Sequence, residues 1–280
     1  MDDTDHQPAK VASTPLLRRM AEVMLAPITL RRRLPADAGG GRIVVNAKAG
    51  GLRYLLRPSD RLDPNLLDIA RMLVKAGTSV WDIGANVGVF ARAAAFHAGP
   101  EGAVLAIEAD FDVVSLLNRT RLIHERDHAP ITVLPVAASD SCGVVRFDIA
   151  KRARSTNAIH GFGSTQTGGV METRTLPCVT LDSLLAHFPA PDVLKIDVEG
   201  AELGVLHGAG EVIGKVRPFI YCEVQGDTRD DVARQLRAEQ YRVLDGDRRD
   251  KNGLPLALDG ETCNVLAIPV EKWEKVFTKS

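Results

Sequence analysis

The chain has 280 residues, of which 45% are hydrophobic and 25% are charged, a composition typical of a globular protein that buries a large apolar core. Its 35 Lys and Arg residues against 36 Asp and Glu give a formal net charge of -1. Because nucleic-acid-binding proteins usually carry a basic excess, this balance argues against a nucleic-acid partner. The four cysteines form no C-x-x-C pair, so a disulfide scaffold is not expected.

The sequence contains no apolar run of the roughly 18 residues that a membrane span requires. The acidic start Met1-Asp2-Asp3 is not followed by an apolar signal core. We therefore expect a cytoplasmic protein without stable membrane insertion.

Three segments are predicted along the chain. Residues 1–15 are polar and expected to be a disordered tail, residues 16–62 an N-terminal helical and hairpin extension, and residues 63–280 the main domain. The basic stretch 16–34 has helical apolar spacing interrupted at Pro27. Two interpretations stay open for it: a membrane-surface helix, or a cap helix packed on the domain or on the partner subunit of a homodimer.

The extension and the start of the main domain carry turn and helix signals. Arg42–Asn46 and Leu52–Arg57 flank Ala49-Gly50-Gly51, a pattern that predicts a β-hairpin. Asp63-Pro64 predicts a helix start, with Asp63 as N-cap and an apolar stripe that ends at Gly77.

From residue 78 onward, short apolar strands alternate with helices, which predicts a parallel sheet covered on both faces. A Gly-, Ser- and Thr-rich loop at 151–170 separates two extended segments, and the last strand is expected to be antiparallel. The predicted strands are Ser79–Ile83, Ala103–Glu108, Ile131–Ala137, Val144–Ile149, Thr173–Val179, Val193–Asp197, Phe219–Val224, Tyr241–Leu244 and Thr262–Ile268, and the predicted helices after residue 78 are 87–97, 111–124, 181–187, 201–207 and 229–239.

A glycine-containing turn follows the first of these strands. Its sequence from Asp82 to Gly88 reads D-x-G-x-N-x-G, which satisfies neither the G-x-G-x-x-G dinucleotide fingerprint nor a phosphate-binding P-loop. An acidic residue before the turn would repel a phosphate but suits a ligand with a cationic amine.

Glu108 ends the second predicted strand, where a carboxylate can accept both hydroxyls of a ribose. Together, Asp82 and Glu108 indicate an adenosine ligand that has an amino-acid tail and no pyrophosphate. That description matches S-adenosylmethionine.

Four stretches resemble the FkbM family of S-adenosylmethionine-dependent methyltransferases: residues 82–88, 137–140, 180–182 and 194–202. The resemblance implies the α/β class I methyltransferase (Rossmann-like) fold, a seven-stranded, mostly parallel sheet with helices on both faces and an antiparallel last strand. It also implies O-methylation of a hydroxyl, commonly on a sugar or natural product. The expected cofactor positions are Asp82, Gly84, Ala85, Asn86, Gly88, Glu108, Ala109, Ala138, Asp140 and Asp197.

Methyl transfer to a hydroxyl requires removal of its proton, so a general base is expected. Asp197, at the end of the fourth parallel strand, is the first candidate. Glu223 is the second candidate, or a carboxylate that orients the acceptor. Glu199 is a further catalytic candidate, although it and Glu202 could instead stabilise a helix N-terminus. No metal site is predicted, although Asp197, Glu199 and Glu223 together could hold a divalent ion.

His160 lies in the loop 151–170, which could close over the acceptor as a lid. We count His160 among the catalytic candidates. Lys151, Arg152 and Arg154 would give the loop a positive edge, whereas the alternative is an ordinary solvated loop.

The sequence favours an O-methyltransferase that acts on a small-molecule or glycan hydroxyl, and two other functions are alternatives to it. One is a catalytically silent S-adenosylmethionine-binding scaffold or regulatory protein, which the retained acidic residues disfavour. The other is an NAD-dependent oxidoreductase, which the incomplete dinucleotide fingerprint disfavours.

Overall fold

A computed structural model describes residues 24–25, 28–50, 52–58, 62–151, 156–162, 169–224, 228–259 and 264–274. An eight-stranded sheet lies at its centre, accompanied by a two-stranded and a four-stranded sheet. No helix within these ranges is long and apolar enough to cross a membrane.

The strands are numbered in chain order. They are β1 (Thr29–Arg33), β2 (Arg42–Asn46), β3 (Ser79–Ile83), β4 (Ala103–Ile107), β5 (Ile131–Leu134), β6 (Ala137–Ala138), β7 (Gly143–Ala150), β8 (Ala158–Ile159), β9 (Val170–Val179), β10 (Val193–Ile196), β11 (Phe219–Glu223), β12 (Tyr241–Arg249), β13 (Pro255–Ala257) and β14 (Asn264–Pro269).

The α-helices are numbered in the same way. They are α1 (Ala47–Gly50), α2 (Leu52–Leu56), α3 (Pro64–Leu73), α4 (Val89–Ala98), α5 (Phe111–Arg121), α6 (Leu181–Leu184), α7 (Glu202–His207) and α8 (Arg229–Ala238), and a π-helical turn spans Val212–Val216.

The large sheet has the order β13-β12-β14-β11-β10-β3-β4-β5. Strands β11, β10, β3, β4 and β5 run parallel, and β14 is antiparallel to both β11 and β12. The chain moves from β3 outward to β5 and then crosses back to β10, so the strand order reverses between β3 and β10. The expected class I methyltransferase fold is therefore confirmed, with β13 as an additional edge strand.

The central strands are apolar on both faces because each face is covered. Every residue of β3 and β10 is buried. Alternate residues enter different apolar clusters, so that Val80 joins one cluster while Trp81 and Ile83 join the other. This two-residue alternation is the geometry of a strand that separates two cores.

The predicted extended segments around the loop 151–170 form a second sheet of order β6-β9-β7-β8. Strands β7 and β9 are antiparallel over most of their length. The short strand β8, inside the predicted loop, pairs with β7. Arg152 and Arg154, expected at the positive edge of that loop, lie outside the described residues.

The predicted hairpin of Arg42–Asn46 with Leu52–Arg57 is wrong. Strand β2 pairs instead with β1, which precedes it and runs antiparallel from Thr29 opposite Asn46 to Arg33 opposite Arg42. The segment predicted as the second hairpin strand is largely the helix α2.

Side-chain hydrogen bonds explain why helices replace the second hairpin strand. The Asn46 side-chain oxygen accepts hydrogen bonds from the backbone N–H groups of Lys48 (3.0 Å) and Ala49 (2.9 Å), which favours a helical turn directly after β2. At the end of α2, the Arg32 guanidinium donates to the carbonyls of Tyr54 (2.6 Å) and Leu55 (2.8 Å). Carbonyls at a helix C-terminus lack partners within the helix, so this arginine stabilises the helical form.

The predicted helix start at Asp63-Pro64 is confirmed, because α3 begins at Pro64. The Asp63 side chain makes no capping hydrogen bond. It accepts a hydrogen bond from the Tyr54 hydroxyl instead, which ties α2 to the start of α3.

The N-terminal extension packs directly on the main domain. Ile43, Val45 and Leu62 are buried in the same apolar cluster as residues of α3, α4 and α5. The predicted boundary between residues 62 and 63 stays a prediction. The tail 1–15 and residues 16–23 of the basic stretch lie outside the described residues, and the end of that stretch is strand β1 rather than a helix.

Thr120 connects the extension to the main domain and should therefore contribute to stability. It is fully buried, and its hydroxyl accepts a hydrogen bond from Val44 N–H (2.9 Å) and donates to the Val87 carbonyl (3.1 Å). Thr120→Val keeps the side-chain shape but leaves both backbone groups without this partner. We expect the free energy of unfolding, measured by urea denaturation, to fall by about 1–3 kcal/mol.

The control for this experiment is Thr132→Val at an exposed position of β5. Equal stability losses in both variants would contradict the assigned role of Thr120.

Candidate functional site

The candidate site lies at the carboxyl ends of the parallel strands, where the strand order reverses between β3 and β10. Ligands of open α/β sheets bind at such reversals, because the loops that leave adjacent strands diverge there. Asp82 lies in β3, Glu108 directly follows β4, Asp197 directly follows β10, and Glu223 ends β11. The sheet therefore brings these four predicted acids to one edge.

Asp82 is fully buried, and its partner is the equally buried Lys195. The register of β3 and β10 places Lys195 directly beside Asp82. The Lys195 Nζ lies 3.1 Å from Asp82 Oδ1. Burial raises the pKa of Asp82, and the ammonium opposes that shift. The charge of Asp82 is thus partly neutralised within the protein itself.

The Lys195 ammonium joins three groups from two strands. Besides Asp82, it lies 3.4 Å from Asp197 Oδ2 and donates a 2.7 Å hydrogen bond to the Gly84 carbonyl. Burial lowers the pKa of Lys195, but the two carboxylates outweigh burial and the net shift is upward. The lysine remains a cation that holds the ends of β3 and β10 together.

Glu108 accepts one backbone hydrogen bond on each carboxylate oxygen. Asn86 N–H donates to Oε2 (2.8 Å) and Asp110 N–H donates to Oε1 (2.9 Å). Burial raises the pKa of Glu108 to about 7 against the opposing effect of these two donors. Each oxygen retains a further lone pair, so the carboxylate still has acceptor capacity for a ligand.

A close backbone contact explains why the turn between β3 and α4 has a glycine at position 84. Gly84 has φ +76°, and a Cβ atom there would lie 1.8 Å from the Asp197 carbonyl oxygen. Gly84 is among the cofactor positions expected from the sequence, and the structure shows that the absence of a side chain there makes room for the backbone after β10. Gly88, also with positive φ, is the N-cap of α4.

Asn86 and Ala85 line the same turn. Asn86 has φ +50°, a left-handed conformation that asparagine tolerates better than most residues. The Asn86 side-chain oxygen is buried and accepts no hydrogen bond from the residues that the structure describes. The N–H groups of Gly84 and Ala85 both donate to the Ile107 carbonyl at the end of β4 (2.9 Å each).

A row of carboxyl groups extends along the edge from β10 to β11. Because Ile196 lies opposite Cys222 in parallel register, Asp197 and Glu223 lie side by side at a strand spacing of about 4.8 Å. Repulsion from Asp197, with partial desolvation, raises the pKa of Glu223 to about 7. Asp197 itself remains partly exposed, with 26% of its side chain accessible.

Glu199 lies in the turn after Asp197 in a strained backbone conformation. Its φ of +56° lies in the left-handed region, which costs a residue with a side chain about 1–2 kcal/mol. Burial, with repulsion from Asp197, Glu223 and Glu202, raises the pKa of Glu199 to about 8. Strained residues persist where surrounding structure holds them and are enriched at functional sites.

Glu202 accepts hydrogen bonds from backbone N–H groups that precede α7. It is 1% exposed, and its Oε1 accepts hydrogen bonds from Gly200 N–H (2.9 Å) and Val198 N–H (3.3 Å). This is the helix-start interpretation that the sequence offered for Glu202.

His160 is not joined to these carboxyl groups by any hydrogen bond or ion pair that the described residues make. It follows β8 in the second sheet, where its Nδ1 lies 2.8 Å from Asp148 Oδ2. Asp148 also accepts a hydrogen bond from Thr173 (2.5 Å). His160 remains 49% exposed.

The remaining predicted cofactor positions lie at the boundary between the two sheets. Ala109 packs against the small apolar cluster of the second sheet, and Ala138 is buried in β6. Asp140 is exposed in the turn between β6 and β7, where it accepts hydrogen bonds from the hydroxyls of Ser139 and Ser141.

The described residues contain no group of three or more His, Cys, Asp or Glu side chains arranged to hold a metal ion. The segment His124-Glu125-Arg126-Asp127-His128 has the H-E-x-x-H spacing of zinc proteases. It forms a turn rather than a helix, and Glu125 pairs with Arg42 at 3.3 Å. The two histidines therefore lack the helical face that this motif requires.

Sequence reasoning missed the contact between the second sheet and the loop that carries Glu108. Asn157 and Asp110 form a buried hydrogen bond of 2.7 Å there. The sequence offers a signal for Asp110, because an aspartate before an apolar helical stretch is typical of an N-cap. In the structure its side chain caps α5 by accepting a hydrogen bond from Asp112 N–H. Asn157 has no such signal, because its partner lies 47 residues away in the chain.

The close approach at Gly84 leads to a stability prediction with a matched control. Gly84→Ala introduces both a left-handed alanine and a clash with the Asp197 carbonyl, whereas Gly77→Ala at φ +78° meets no atom within 4 Å. We expect Gly77→Ala to lower the free energy of unfolding by about 1–2 kcal/mol. Gly84→Ala should lower it by roughly a further 1–3 kcal/mol. If urea denaturation gives equal losses, the backbone contact does not constrain Gly84.

The raised pKa of Glu199 leads to a prediction about pH. Between pH 5 and 8 the folded protein retains a proton on Glu199 that the unfolded chain, with an ordinary pKa of 4.5, has released. The contribution of Glu199 to stability must therefore fall as pH rises through this window. Glu199→Gln cannot titrate, so its loss of unfolding free energy from pH 5 to 8 should be smaller by about 1–2 kcal/mol after solvent screening.

The control is Glu101→Gln, at an exposed carboxyl before β4, which should reproduce the wild-type pH slope. A wild-type slope in Glu199→Gln would mean that this carboxyl is not the group that titrates.

Comparison with known proteins adds an independent observation. Residues 82–243 match the family model of the methyltransferase FkbM domain. The hexuronic acid methyltransferase AglP of Haloferax volcanii is 31% identical over 164 residues, which cover 56% of this chain and 61% of that protein's own length.

Similar solved structures include a methyltransferase FkbM of Methylobacillus flagellatus, which is 18% identical with a TM-score of 0.45 over 68% of this chain and 43% of its own. An S-adenosylmethionine-dependent O-methyltransferase of Thermotoga maritima is 14% identical, with a TM-score of 0.43 over 82% of this chain and 74% of its own. Because the family model covers more than half of the 280 residues, the chain belongs to the FkbM methyltransferase domain family.

Proposed function

We propose that this protein is an S-adenosylmethionine-dependent O-methyltransferase that acts on a hydroxyl of a sugar or natural-product acceptor. The observation that carries the proposal is the pairing of Glu108 with the glycine turn after Asp82, at the strand reversal of an FkbM-family domain. This arrangement offers a nucleoside ligand the Glu108 carboxylate as an acceptor without a phosphate-binding loop.

The residues present fit S-adenosylmethionine. Glu108 is fixed by two backbone donors and has free acceptor capacity for ribose hydroxyls. The buried Asn86 side-chain oxygen lacks a partner among the described residues, so it offers a second acceptor. Asp82 and Asp197 supply negative charge near the expected amino-acid end, beyond what the single Lys195 ammonium neutralises.

The bound cofactor would supply an activated methyl group, and the protein would align the acceptor oxygen and remove its proton. Asp197 suits the role of base, because it is partly exposed and lies next to Lys195, which orients its carboxylate. Glu223 is the second candidate, since a carboxyl with a pKa near 7 accepts protons efficiently at neutral pH. Positioning of the two reactants supplies a large part of the rate enhancement.

The acceptor class rests on the family and on the curated relative. AglP methylates a hexuronic acid according to its name, which makes sugars the first acceptors to test. The fold alone does not separate sugars from natural products, because the loops that line acceptor sites differ between enzymes of one fold.

The proposal is tested by titrating the purified full chain with S-adenosylmethionine, S-adenosylhomocysteine and NAD in a calorimeter. Methyl-labelled cofactor is then incubated with hexuronic acids, neutral hexoses and polyketide alcohols. Binding of the first two ligands with label transfer to an acceptor supports the proposal. Binding of NAD alone overturns it, and tight cofactor binding without transfer to any acceptor favours a silent scaffold.

Asp197→Asn tests the assignment of the base. The substitution preserves size but removes the proton acceptor, so turnover should fall about 10²- to 10⁴-fold. The affinity for S-adenosylhomocysteine, measured by calorimetry, should fall far less than the turnover. Equal losses in turnover and affinity would make Asp197 a cofactor contact, and a turnover loss confined to Glu223→Gln would transfer the role to Glu223.

A further inference from the structure

The second sheet reaches the candidate cofactor site through a buried amide. Asn157 is 7% exposed and lies just before β8. Its side-chain N–H₂ donates a 2.7 Å hydrogen bond to Asp110 Oδ2, and its side-chain oxygen accepts a 2.8 Å hydrogen bond from Ala150 N–H. Both ends of the amide are thus used, one toward β7 and one toward the loop after β4.

Asp110 connects Asn157 to Glu108 through two hydrogen bonds. Asp110 is 1% exposed, and its backbone N–H is the donor to Glu108 Oε1 (2.9 Å). Its side chain also caps α5 through Asp112 N–H (3.0 Å). A shift of Asp110 therefore displaces one of the two donors that hold the Glu108 carboxylate.

Arg174 of β9 provides a second connection from the same sheet. Its Nη1 lies 3.4 Å from Asp110 Oδ1, and it also contacts Asp112 and Glu172. Arg174 is more exposed than Asn157, with 24% of its side chain accessible. Solvent weakens such an ion pair, so Asn157 is expected to be the stronger of the two connections.

We propose that Asn157 is a positioning residue for the cofactor carboxylate Glu108, acting through Asp110, so that the second sheet and the cofactor stabilise each other. The inference rests on the proposed function, because it assigns Glu108 to the cofactor ribose. Linkage makes the effect reciprocal: if the Asn157 contact strengthens cofactor binding, the cofactor must stabilise that contact by the same factor.

The test is a double-mutant cycle in the full chain, read out as the dissociation constant for S-adenosylhomocysteine by calorimetry. Asn157→Ala should raise this constant about fivefold or more. Glu108→Gln should also raise it. In the Glu108→Gln background, Asn157→Ala should change this dissociation constant by less than about twofold, because the Glu108 carboxylate through which Asn157 acts is already absent.

Asp148→Asn is the matched control. It removes a carboxylate that contacts Thr173 and His160 within the same sheet and leaves the hydrogen bond between Asn157 and Asp110 in place. Its dissociation constant should equal that of the wild type. If Asn157→Ala does not fold, Arg174→Met tests the same route at a more exposed position, with a smaller rise that again disappears in Glu108→Gln.

Hydrogen exchange provides a readout that does not depend on affinity. In the wild type, S-adenosylhomocysteine should slow amide exchange in β7 and in residues 156–162, and Asn157→Ala should abolish this protection at saturating ligand. An unchanged dissociation constant in Asn157→Ala, or an equal rise with and without Glu108→Gln, overturns the inference and leaves the proposed function intact. Failure of the wild type to bind S-adenosylhomocysteine overturns the proposed function instead.

Discussion

The buried ion pair between Lys195 and Asp82 constrains the whole candidate site. A charge in the interior is costly unless it is paired, so each residue requires the other. Their pairing fixes the relative position of the ends of β3 and β10, and the same ammonium binds the Gly84 carbonyl and approaches Asp197. One cation thus adds a side-chain connection to the backbone pairing of β3 and β10 at the strand reversal.

Several acidic residues surround this ion pair at one edge of the sheet. Lys195 neutralises about one negative charge, yet Asp82, Asp197, Glu199 and Glu223 all lie within electrostatic reach of it. Burial together with this excess charge raises the pKa of Glu199 to about 8, and repulsion from Asp197 together with burial raises the pKa of Glu223 to about 7. Carboxyl groups in that range exchange protons readily at physiological pH, which is what transfer to a hydroxyl requires. A cationic ligand at this edge would relieve the same repulsion.

The second sheet contributes to the site from outside the common fold. Its strands lie after β5 and contact the large sheet through buried polar groups, Asn157 and Asp110, as well as through apolar packing at Ala109. A buried amide that satisfies a carboxylate sets geometry more narrowly than apolar contact does, because hydrogen bonds are directional. The loop that presents Glu108 therefore depends on a part of the chain about 50 residues away.

Sequence patterns alone are enough to predict the layer architecture, the family and the edge of the sheet where the acidic residues lie. Alternating apolar strands and helices specify a covered parallel sheet, and residues that directly follow parallel strands, such as Glu108 and Asp197, must meet at one edge. The helical conformation of Leu52–Leu56 depends on a tertiary contact, because the distant Arg32 donates hydrogen bonds to carbonyls at the end of this helix. Tertiary contacts also explain why Gly84 lies against a backbone carbonyl and how Asn157 reaches Glu108 through Asp110. Local patterns report the periodicity of a segment, whereas these contacts join residues that are remote in sequence, and no local pattern encodes a distant partner.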